Sequence, residues 1–189
     1  AMQNNDSIIV SQVGRDGNES ARMSQISSSP QDSMEFVIMN IFSQMIADIP
    51  FTQIPDKCPL VVVFDVTTSL PLENIRHYWD EAWQKNNITF PVEHVEGSGL
   101  SVIDRWLNER IKDKAMLLIV GLQIDPVVTN NTAEAAVALL LGNRLTQEAL
   151  DPLALLHRPD AAPSGELSEG MRMAACNVPL KESMVKNLW

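Results

Sequence analysis

Gly97-Ser98-Gly99 sets a serine in a flexible turn ahead of a helix, a placement shared with esterase nucleophiles. The full five-residue pattern is missing, so Ser98 reads as a cap or turn residue, with acyl-ester chemistry as the alternative. Cys176 is the second candidate nucleophile, but no catalytic motif surrounds it and it reads as a buried packing thiol. His77, His94 and His157 are of the type that serves as a base or a metal ligand, and Glu93, His94 and Glu96 are close in the chain. In an extended strand Glu93 and His94 point to opposite faces, and no second His or Cys stands at ligand spacing. No catalytic, metal or cofactor set is therefore expected, and His94 and His77 take surface or capping roles.

Ligands of open α/β sheets gather at the C-terminal strand ends, here Asp65 to Ser69, His94 to Ser98 and Gly121 to Thr129. The first of these loops has neither a glycine fingerprint nor a Gly-Lys-Ser/Thr signature, which disfavours a nucleotide. Charge agrees: 14 Lys+Arg against 24 Asp+Glu leave a net charge of -10 on 189 residues, which repels a phosphate backbone or an anionic bilayer. Nucleic acid is not an expected partner. No apolar run approaches the roughly 20 residues of a spanning helix, so no membrane insertion is expected of this segment. Cys58 and Cys176 allow at most one bridge, and the cytoplasm is the favoured compartment.

The candidates must be held by elements that the hydrophobic pattern marks out. Residues 1–32 read as a flexible polar arm whose start, Ala1-Met2, looks like a cloning remnant and whose Ser7-Ile8-Ile9-Val10 stretch suits an added strand. Residues 33–189 read as a single α/β domain. Asp32 or Ser33 can cap a helix running to about Asp48, stopped by Pro50. Leu60 to Val66 is a strand buried on both faces, and Leu72, Ile75, Trp79, Ala82 and Trp83 mark a helix ending near Lys85. A strand from Ile88 to Val95, a helix from Ser101 to Lys112 and a strand from Met116 to Val120 follow. Trp79, Trp83 and Trp106 fall on the apolar stripes, so they pack a core and form no stacking platform.

Asn131 as cap and Glu134 at the reach-back position predict a further helix, ended by Gly142. Ala133 to Leu141 leave that helix almost no polar face, so the sheet, other helices or a partner must enclose it. Leu153-Ala154-Leu155-Leu156 suits a fourth strand, and two short helices divided by Pro179 are expected from Glu166 onward. Leu188-Trp189 at the end reads as a cut inside a larger protein. Strand and helix in alternation predict a layered, mostly parallel sheet with helices on both faces.

The hydrophobic strand, variable loop and Thr132-Ala133-Glu134-Ala135-Ala136-Val137-Ala138-Leu139-Leu140-Leu141-Gly142 sequence resembles the adaptor proteins of bacterial type VI secretion systems that load lipase effectors onto the spike. It is also similar to the small-residue helices of thiolase-like ketosynthase folds, and the likeness extends loosely from Pro59 to Trp189. The resemblance implies a thiolase-like α/β scaffold that binds an effector and a spike protein and catalyses nothing itself. The catalytic set of a working ketosynthase does not carry over, because Cys176 lacks the strand-to-helix surroundings and no matching histidine motif follows it.

Three readings result. The first is a non-enzymatic adaptor or accessory domain with a protein partner. The second is an acyl hydrolase or acyltransferase-like enzyme using Ser98 or Cys176. The third is a structural domain of a larger protein.

Overall fold

The computed structural model describes residues 31–51, 54–55, 57–88, 91–98, 101–110, 112–124, 134–146, 156–157 and 163–176. Most of the expected arm, the strand expected at 153–156 save Leu156, and the chain beyond 176 lie outside the described residues. Helix α1 (Met34–Asp48) starts where the Ser33 hydroxyl accepts the Phe36 N–H at 3.2 Å. It buries Ile38, Met39, Ile41, Phe42 and Ile46, the stripe expected of its spacing. Strand β1 (Leu60–Thr67) is buried along its first five residues, as its β-branched run requires. Helix α2 (Leu72–Lys85) turns Ile75, Trp79, Ala82 and Trp83 inward.

Strand β2 (Val92–His94) is shorter than the expected 88–95 segment, and α3 (Ser101–Glu109) stops before Lys112. Strand β3 (Met116–Gln123) pairs with β1 along its whole length. The sheet order is β2-β1-β3-β4, with the β1 pairs parallel and β4 antiparallel to β3. A chain that runs from β1 to β2 and back across β1 to β3 reverses direction within the sheet. Crossovers of one hand then place α2 and α3 on opposite faces. That is observed: α1 and α2 cover Leu60, Val62, Phe64, Leu118 and Val120, whereas α3 covers Val61, Val63 and Leu117. The α/β class with a mixed four-stranded sheet and helices on both faces is therefore established.

Three aromatic rings fix the first layer. Trp79, nearly inaccessible to solvent, meets Phe42 edge-on at 5.3 Å and Phe64 edge-on at 5.6 Å between centroids. These contacts lock α1 and α2 to β1 through one residue from each.

The helix expected from Asn131 is not what forms. Ala135–Gly142 is strand β4, paired residue for residue with β3 from Met116↔Gly142 to Gln123↔Ala135. Alanine favours a helix only weakly, by tenths of a kcal/mol per residue over its competitors. Against that stands the outer edge of β3, whose backbone groups need partners across the ladder. A run of eight apolar residues matches the eight of β3 and is short for a helix. All six residues from Glu134 to Leu139 are exposed, so no described helix encloses the run.

Helix α4 (Leu167–Cys176) follows a 3-10 turn at Ser164–Glu166. On it the Arg172 guanidinium grips the Glu169 carboxylate and holds it below its ordinary value.

Candidate functional site

Among the described residues, the second face of the sheet is only half covered. Val102, Ile103 and Trp106 of α3 pack on Val61, Val63 and Leu117, with Ile119 and Leu141 at the margin of that cluster. Beyond this margin the face continues through Gly121, Val137 and Leu139. The registers Ile119↔Leu139 and Gly121↔Val137 set these residues side by side, and side chains directly opposite in a ladder share a face. Val137 is 60% exposed and Leu139 44% exposed, an unusual fate for large aliphatic side chains in a sheet of this kind. Gly121 supplies no side chain, and Val137 leans across the gap it leaves. The result is an apolar strip along β3 and β4, two strands wide, with no charged residue between Ala135 and Gly142.

The strip is held at one end by Asn143, which is buried. Its amide nitrogen donates to the Arg110 carbonyl at 2.8 Å and to the Asp113 carbonyl, and its side-chain oxygen accepts the Leu145 N–H at 3.2 Å. Thr146 closes the turn by donating its hydroxyl to the Asn143 carbonyl at 2.7 Å. One side chain thus ties the end of β4 to the exit of α3 and the entry to β3. An asparagine directly after Gly142 reads from sequence as a turn residue, and only the distant carbonyls it serves reveal this role.

The residues singled out for chemistry lie apart from the strip. Ser98 is exposed in the loop before α3, where its carbonyl accepts the Ser101 hydroxyl at 2.9 Å. Its neighbour Gly97 is needed for close approach, since a Cβ there would collide with Val102. Cys176 is exposed and free, contrary to the packing thiol expected; the buried thiol is Cys58. The pattern of faces on β2 is as its alternation demands. Glu93 pairs with Arg110 at 3.0 Å on the α3 side, whereas His94 stacks on Phe64 at 5.7 Å and meets Asp80 at 3.4 Å on the α2 side. Trp79, Trp83 and Trp106 are all buried in the two cores. His77 is exposed beside Tyr78, and His157 is exposed.

Among the described residues, no group of three or more His, Cys, Asp and Glu side chains is placed to hold a metal ion. No described helix is long and apolar enough to cross a membrane. At the C-terminal ends of β1 and β3 the Ile124 N–H donates to the Thr67 carbonyl at 3.1 Å, so the two strands stay paired to their last residues. Residues 125–133, which follow, are outside the described set. A cavity of about 20 Å³ lies under α3, bounded by Val61, Val63, Val102 and Trp106, and it has room for about one water. No protein-family model, curated protein or solved structure matches the chain.

Proposed function

We propose that this chain is a non-enzymatic protein-binding domain, and that the half-covered second face of its sheet is where a partner docks. The exposure of Val137 and Leu139 carries the reading. Large apolar patches on an otherwise soluble-looking surface mark interaction sites, because leaving them wet forgoes about 25 cal/mol for each Å². The strip also has the dimensions of one element. Two strands span roughly 10 Å, and a helix with its side chains is about 10–12 Å across. Among the described residues the first face carries two helices and the second carries one, so a single helix from a partner would complete the layer beside α3. Such a helix presents an apolar stripe to Ile119, Val137 and Leu139. Basic flanks on it suit a chain of net charge -10.

Within this reading the chain acts as an adaptor, and the clients that the sequence resemblance implies are a secretion effector and a spike protein of a type VI system, although Ala135–Gly142 forms a strand and not the small-residue helix of a thiolase-like fold. The test is affinity capture from a native lysate with the wild type and with Val137→Glu/Leu139→Glu as baits. A stoichiometric protein held by the wild type and lost from the variant supports the proposal. The same proteins on both baits, or none on either, count against it.

A further inference from the structure

Trp106 is 4% exposed, and its indole N–H is buried with no acceptor among the described residues. Helix α3 packs the ring in a cluster with Val61, Val63 and Leu117, none of whose side chains can accept a hydrogen bond. A buried donor left unsatisfied is costly, so most such groups in native proteins meet a protein atom or an ordered water. The ring also borders the cavity of about 20 Å³ under α3. That volume exceeds the roughly 10–15 Å³ that one water requires, and a water is held only where about two to four polar groups can bond it.

Two such groups stand on the cavity wall besides the indole. Glu93 and Arg110 both line it, and their side chains meet at 3.0 Å. The fold sets them there. The Arg110 N–H donates to the Trp106 carbonyl at 2.9 Å, which carries the helical turn one residue past Glu109. Residues four apart in such a turn are neighbours on one face, with Cβ atoms about 5–6 Å apart. The β1–β2 register sets Glu93 beside Val61, on the face of the sheet that α3 covers.

We propose that one ordered water sits in this cavity, accepting the Trp106 indole N–H and donating to the Glu93 carboxylate, which Arg110 holds in place. One water makes both bonds, because its oxygen accepts while its hydrogens donate. The Arg110 guanidinium, a fork of N–H donors, can give the water oxygen a further bond. The bridge ties the middle of α3 to β2, a strand of three residues paired to β1. It lies under α3 and is independent of the docking strip.

The test is protein–water NMR on the isotope-labelled full chain, with the Trp106 indole resonance identified by its loss in Trp106→Phe. The expected result is a cross peak between the indole proton and water whose sign marks a long-lived contact and not chemical exchange. Glu93→Gln keeps an acceptor oxygen at the site and should keep the cross peak. Glu93→Leu removes the acceptor; its side chain is 58% exposed, so the fold should survive the change. In that variant the cross peak should vanish, and hydrogen exchange of the indole N–H should speed up by about tenfold. An indole proton without a water cross peak in the wild type overturns the proposal. So does a cross peak that persists in Glu93→Leu, or one that Glu93→Gln loses as readily.

Discussion

Val137 lays a γ-methyl over Gly121 on the neighbouring strand, so close that a Cβ added to the glycine would lie 2.8 Å from it. The contact joins the two strands of the half-covered face, and it makes Gly121 a packing residue. A helix laid on the strip would meet Val137 and Leu139 as its first contacts.

Substitution at this pair separates two opposing effects. Gly121→Ala gains about 0.5–1 kcal/mol from the lower chain entropy of alanine in a strand, and loses a similar amount by pushing Val137 off its rotamer. The wild-type background should therefore register a change within about 0.5 kcal/mol. In a Val137→Ala background the same substitution should stabilise by about 0.5–1 kcal/mol. Urea denaturation of the four proteins reads the difference, and equal effects in both backgrounds would show that the side chains do not meet.

Asn143→Ala removes the donor that serves the Arg110 and Asp113 carbonyls. Losing a partner for buried polar groups costs about 1–3 kcal/mol. Thermal and chemical denaturation should place Asn143→Ala at least about 1 kcal/mol below Asn108→Ala, an exposed control on α3 that stays within roughly 0.5 kcal/mol of wild type.

The two cysteines should behave oppositely. Cys176, exposed at the end of α4, should react at once with a thiol reagent, and Cys58 only as the protein unfolds. Burial pushes the Cys58 thiol above its ordinary value of 9.0, with the Lys114 ammonium a smaller opposing influence. The folded chain thus holds this proton more tightly than the unfolded chain. The associated stability is intact below pH 9.0 and is lost as pH rises through the folded-state value. Denaturation at a series of alkaline pH values should show a decline that Cys58→Ala lessens.

Periodicity made most of the scaffold legible. The spacing of Phe42 and Ile46, of Ile75 and Trp79, and of Val102 and Trp106 foretold three helices and the faces they bury. Val61 to Val63 and Leu117 to Leu118 foretold the two central strands. Ala135 to Leu141 defeated the same reasoning, because an unbroken apolar run carries neither the period of a helix nor that of a strand. Its fate was decided by the open edge of β3, a tertiary demand that local spacing does not encode. The exposed apolar strip was hidden with it: read as a helix the run needs enclosure, and read as a strand it offers a surface. Asn143 was missed because the carbonyls it bonds belong to residues 110 and 113, distant in the chain.

The central claim is that Val137 and Leu139 form the floor of a docking site, and the most direct measurement is the affinity of the captured partner for wild type and for Val137→Glu/Leu139→Glu. Both residues are exposed, so the variant should melt with the wild type. A docking floor predicts a loss of about a hundredfold, as expected when two central apolar contacts become charges against an apolar stripe. An unchanged dissociation constant with an intact fold would place the binding surface elsewhere and contradict the account.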